Sequence, residues 1–180
     1  MLIDSLVSFT PYNVPLSIVG GAGVAIPSQI IDLLGSGVGT APQNIIGNRT
    51  VFGADVGIGG LRPQMEVIVT TAFVTGNAAT LNIQFQAAID TGAGGFYQPG
   101  TWNTLSETGP ITAANLAIQA CVARWDFFAS LPVNLQPRFL RLNFAPLTAT
   151  NFSAGAVVAP VVLVRDDQAN RFMPANYSVA

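Results

Sequence analysis

Ten of the eleven residues 80–90 obey a period of two. Leu81, Ile83, Phe85, Ala87 and Ile89 fall on one side; Thr80, Asn82, Gln84, Gln86, Ala88 and Asp90 fall on the other. Neighbouring side chains of an extended strand point to opposite faces, so this pattern makes one apolar and one largely polar face. A helix, with a period of 3.6, would scatter the same residues around its axis. Residues 65–74 are rich in Val, Ile and Thr and form a second expected strand. Thr75-Gly76-Asn77 between them is turn chemistry, so the two strands are expected to pair as a hairpin. Leu140, Leu142 and Phe144 alternate with Arg141 and Asn143 in a third. Weaker strands are expected at 14–19, 26–34 and 121–128. The one helix-compatible stretch is 113–123, Ala-rich and entered from Thr112 as a cap. Strands without alternating helices, punctuated by 18 Gly and 12 Pro, point to an all-β fold. The expected architecture is a jelly-roll-like β-sandwich of about eight strands in one domain spanning 1–180.

Residues 155–164 are apolar on both faces, so that strand is either central or pressed against a partner. Pro160 cannot donate to a ladder and favours an edge. An edge strand with two apolar faces makes Val158, Pro160 and Val162 candidate interface residues. The ends of the chain are unusual too. Phe9, Pro11, Tyr12 and Pro15 near the start, and Phe172, Met173, Pro174 and Tyr177 near the end, follow no period. Disordered tails are ordinarily poor in aromatics. Of two arms, at about 1–25 and 169–180, at least one is therefore expected to order against a neighbouring subunit or an underlying partner, with Phe172, Met173 and Tyr177 as contacts.

Charge is scarce. Charged residues make up 9% of the chain, against roughly 25% in an average soluble protein. A monomer of this mass would expose roughly 8,300 Å², or about one charge per 500 Å². Such cover is thin for a chain that stays alone in water, and a homodimer or homotrimer resolves it. The seven basic residues, all Arg, are scattered singly and the net charge is −2, which argues against binding nucleic acid. The longest apolar run, 156–164, is nine residues with Pro160 inside, about half a membrane-spanning helix. The start, Met-Leu-Ile-Asp4, lacks the basic region of a signal peptide, so synthesis and use in the cytoplasm are expected.

With neither His nor Lys, the chain has no Ser-His-Asp or Cys-His nucleophile, no histidine zinc site and no Schiff base. No cofactor or metal is expected. The glycines at 20–23 and 57–60 do not complete a dinucleotide fingerprint. Asp166-Asp167 fits a solvated turn better than a cation site. Cys121, in an apolar stretch, is expected to be a buried, inert thiol.

Two chemical alternatives remain. Asp90-Thr91-Gly92-Ala93 resembles the motif of retroviral-type aspartic proteases, in which a homodimer pairs one Asp from each chain. In that family an apolar-apolar-Gly segment follows the Asp, whereas Ile45-Ile46-Gly47 precedes it here. On this reading Asp90 is a turn residue that Asn could replace. Alternatively Phe96, Tyr97 and Trp102, around Gly94-Gly95 and Pro99-Gly100, would suit a jelly-roll carbohydrate-binding module of a phage tail or fibre.

A broader resemblance covers roughly residues 28–168. Ile30-Ile31-Asp32-Leu33 is followed by the glycine-rich Asp55-Val56-Gly57-Ile58-Gly59-Gly60-Leu61 run, then by the strands beginning at Met65 and Thr80. Leu131-Pro132, Arg138-Phe139-Leu140-Arg141-Leu142, Phe152-Ser153-Ala154-Gly155 and Asp166-Asp167-Gln168 complete the order. In this succession the chain resembles the capsid cement, or decoration, proteins of tailed bacteriophages, typified by the Bordetella phage cement protein. The resemblance implies a structural virion protein, not an enzyme. It would sit on the capsid exterior as a homo-oligomer and lock neighbouring capsomers by contact with the major capsid protein.

Overall fold

A computed structural model describes residues 2–11, 14–20, 23–32, 63–76, 78–91, 98–126, 138–147 and 151–163. They form twelve strands in two antiparallel sheets: β1 Leu2–Ser8, β2 Leu16–Ser17, β3 Ile26–Pro27, β4 Ile31–Asp32, β5 Pro63–Val74, β6 Thr80–Ala88, β7 Asn103–Glu107, β8 Ile111–Thr112, β9 Cys121–Asp126, β10 Phe139–Pro146, β11 Ala154–Val158 and β12 Pro160–Leu163. The expected all-β sandwich is what the chain forms.

Several short strands lie end to end on a common neighbour, so the twelve occupy eight ladder positions. In the first sheet β9 flanks one side of β5, and β11 with β12 flanks the other; β2 and β1 lie outside those two. In the second sheet β10 and β6 are central, with β3 and β4 outside β10 and β7 and β8 outside β6. The pairs nest. The first position pairs with the last, the second with the seventh, the third with the sixth and the fourth with the fifth.

The alternation read in the sequence explains the layering. Leu81, Ile83, Phe85 and Ala87 of β6, and Leu140, Leu142 and Phe144 of β10, are buried. They face Met65, Val67, Val69 and Phe73 of β5 and Val157 and Val161 of the β11–β12 line within one core. Fully burying each such side chain stabilises the fold by about 1.5–3 kcal/mol. Phe9 and Phe85 meet edge-to-face with centroids 6.2 Å apart, and Trp125 stacks on Phe85 at 6.5 Å.

Four expectations need correction. The strands at 65–74 and 80–90 do not form a hairpin, because each has an apolar face to bury and they lie in opposite sheets. Their connector crosses between the sheets, with the Ala79 N–H donating to Thr75 Oγ1 at 3.2 Å and Ala78 at φ 53°. The stretch 113–123 is no helix: it is one 3-10 turn at Ala113–Asn115, without a side-chain cap, that buries Leu116 and leads into β9. Pro160 is not on an edge. It lies within the first sheet, opposite Ser8, where the register of β1 slips. There Thr10 Oγ1 accepts from the Ala159 N–H at 3.0 Å, and the Phe9 N–H and Ser8 hydroxyl donate to the Ala159 carbonyl. A bulge with side-chain partners is the situation in which a sheet tolerates proline. Finally, the described part of 1–25 is not an arm. It supplies β1 and β2, and Phe9 and Ile18 are core residues.

Candidate functional site

Of the residues singled out as contacts, Val158 is half-buried on the outer face of the first sheet and Pro160 is buried within the chain. Val162 pairs by its backbone with Ile3 and Gln64. Phe172, Met173 and Tyr177, like the rest of the expected C-terminal arm, lie outside the described residues, as do Phe96, Tyr97, Ile45-Ile46-Gly47 and Asp166-Asp167.

Asp90 follows β6 and bridges Pro99. Its Oδ2 accepts from Arg138 Nη1 at 2.6 Å, and its Oδ1 accepts from the Gln98 N–H at 3.2 Å. The Arg138 side chain is 8% exposed, with its guanidinium 5.2 Å from the Phe139 ring centroid. Asp90 is thus the counter-ion of a buried cation and not merely a turn residue. Its carboxylate is spent in that role, whereas acid-protease chemistry requires two carboxylates sharing one proton. Cys121 is exposed at the start of the edge strand β9, contrary to the expected burial. Among the described residues no group of three or more His, Cys, Asp or Glu could hold a metal ion, and no helix is long and apolar enough to cross a membrane.

The outer face of the second sheet is a network of carboxamides. Asn82 Nδ2 donates to Glu107 Oε2 at 2.8 Å, and Gln84 Nε2 donates to the same oxygen at 3.4 Å. Asn143 Nδ2 and Gln86 Nε2 donate to Gln84 Oε1, and Arg141 Nε donates to Gln86 Oε1 at 2.9 Å. The Arg141 guanidinium lies 4.1 Å from the Trp102 ring centroid. Amide donation from Asn82, then Gln84, holds the Glu107 carboxyl below the usual carboxylate range, and burial lowers the Arg141 pKa. The side chains bond one another, and Asn82, Gln86 and Asn143 are buried although they point away from the core, with Asn82 Oδ1 left without a partner.

One end of the sandwich is formed by loops rich in small and aliphatic residues. There the four connectors β2–β3 (18–25), β5–β6 (75–79), β8–β9 (113–120) and β10–β11 (147–153) come together. The Ile18 N–H donates to the Gly155 carbonyl, Ser153 to Val74, Leu147 to Thr80 and Phe73 to Leu116. None of the four connectors contains a charged residue. This end displays Val19, Val24, Val74, Ile118 and Leu147, each between 48% and 61% exposed. The opposite end holds the Asp90–Arg138 pair. Sequence reading missed this surface because its aliphatics are far apart along the chain and only the nested topology gathers them. The sole signal in the sequence was the shortage of charge. No protein-family model matches the chain, and no curated protein matches it.

Proposed function

We propose that the chain is a structural virion protein that binds the outside of an icosahedral phage capsid as a homo-oligomer and stabilises contacts between capsomers. Its partners on this reading are copies of itself and the major capsid protein. The observation that carries the reading is the end of the sandwich where exposed aliphatics lie on or beside connectors without a charged residue: exposed aliphatic side chains gathered in this way mark a protein contact. The nested order of the ladders supports placing the sandwich in the jelly-roll class. The commitment of Asp90 to Arg138 favours a non-enzymatic role.

Purified particles provide the test. Quantitative mass spectrometry should find this chain at a fixed ratio to the major capsid protein, in many copies per particle, and accessible to surface labelling. Its absence from purified particles refutes the proposal.

A further inference from the structure

We infer that the outer face of the second sheet binds an acidic saccharide. The Arg141 guanidinium takes the carboxylate of a sugar acid, and the groups beside it take the hydroxyls of neutral neighbouring sugars. The site lies apart from the connector end, and its existence does not depend on the capsid reading.

Among the described residues Arg124 and Arg138 each meet a carboxylate at 2.6 Å, from Glu66 and Asp90. Arg141, the third arginine there, meets none. Its Nε donates to Gln86 Oε1 at 2.9 Å, and its guanidinium lies 4.1 Å from the Trp102 ring centroid. Those two contacts fix the group and leave its Nη donors without a partner among the described residues. Burial also disfavours the charged form and lowers the Arg141 pKa. A partly desolvated cation without a counter-ion is unfavourable. A planar carboxylate bound through the Nη donors would supply the missing charge and the missing acceptors together.

The surroundings select the kind of carboxylate. Strand register sets Arg141, Gln86 and Thr104 in one row across the sheet, and Asn143, Gln84 and Glu107 in the next. Gln84 Oε1 accepts from both Asn143 Nδ2 and Gln86 Nε2, so the carboxamides are held in fixed orientations. Asn143 Oδ1 and Glu107 Oε1 accept no hydrogen bond from the described residues. Open acceptors beside an unpaired cation suit a ligand that brings several O–H donors with its carboxylate, which is the make-up of a sugar acid in a glycan. An acidic peptide fits less well. β6 and β10 are bonded on both sides within the sheet, so their backbones cannot pair with an added strand. Glu107 also puts negative charge about 12 Å from Arg141, by strand spacing and rise, so a run of carboxylates crossing the face would be repelled. One carboxylate among neutral hydroxyls meets both ends of the face.

The experiment is titration calorimetry of the full chain, without shell protein, against three probes. They are a tetrasaccharide with one glucuronate among neutral hexoses, the same tetrasaccharide with glucose in its place, and a hexa-aspartate peptide. The acidic tetrasaccharide should bind with a submillimolar Kd, and the neutral one at least tenfold more weakly. Arg141→Gln should weaken binding of the acidic probe roughly 10- to 100-fold, the range for a hydrogen bond to a charged group, and erase the preference. Arg141→Lys keeps the charge but not the planar fork, and should recover only part of the affinity. A mutation-free measurement guards against a variant that folds poorly. In wild-type spectra the Trp102 indole N–H and the side-chain amides of Gln84, Gln86 and Asn143 should shift on titration. The indole of Trp125, stacked on Phe85, should not. No binding of the acidic probe overturns the inference. So does equal affinity for the neutral probe, full binding by a folded Arg141→Gln, or shifts confined to other residues. Tighter binding of hexa-aspartate would make the occupant a protein and overturn it as well. Absence of the chain from phage particles would sink the capsid reading and leave this site standing.

Discussion

At Gly155, at the start of β11, a Cβ would lie 2.5 Å from Phe73 Cδ1 and 2.8 Å from Phe73 Cγ. The ring has nowhere to retreat, because it packs edge-to-face on Phe152 with centroids 4.9 Å apart. The residue also holds φ 152°, which L side chains rarely adopt. Gly155→Ala should therefore destabilise the protein by about 2–3 kcal/mol, read as a lower thermal midpoint, from overpacking and backbone strain together. Asp90 makes the second case at this scale. The carboxylate that a turn would let Asn replace neutralises a guanidinium that is 8% exposed. Asp90→Asn should cost about 1–3 kcal/mol in chemical denaturation, the worth of a charge-assisted hydrogen bond. In the Arg138→Met background the same change should cost much less. The Asp in the motif was visible in the sequence, but its partner lies 48 positions away and only the pairing of β10 with β6 brings it close.

Among the elements, β6 was the most legible and its outer face the least. Alternation identified the strand and its buried side, because a period of two is a local property. That Asn82 and Gln86 would also be buried could not be read, since their cover consists of side chains from β7 and β10. The proline in the last apolar strand misled for a related reason: the bulge and the Thr10 hydroxyl that accommodate it come from the other end of the chain. Glu107 gives this face a pH dependence. Its carboxyl titrates below its ordinary range because Asn82 and Gln84 donate to the ionised form. A group with a depressed folded-state pKa contributes stability that is present above the unfolded value and lost as pH falls through the folded one. Glu107→Gln should flatten the acid limb of the stability-against-pH curve, by lowering stability slightly at neutral pH while leaving it little changed at the acid end. An acid limb identical to that of the wild type would show that the amide donors do not stabilise the carboxylate.

Over the whole molecule, the sandwich followed from the spacing of strands, but which strands pair did not. The natural guess joined neighbours in sequence, 65–74 with 80–90, whereas the structure places them in facing sheets. The scarcity of charge was legible from composition; that four connectors without charge meet at one end was not, because that depends on which connectors the topology brings together. The nested ladders have a further consequence, for the order in which the chain can be built. β6 can pair with β7 once residue 107 has left the ribosome, and β5 with β9 after residue 126. β10 then joins β6, β3 and β4, and β1 and β2 find β12 and β11 only when residues 154–163 emerge. The outermost pairs, β1 and β2 with β12 and β11, close far longer loops than β6 with β7, at a slowly growing entropic cost. The first segment synthesised is thus the last to be zipped, and Phe9 waits through nearly the whole of translation for the core that buries it.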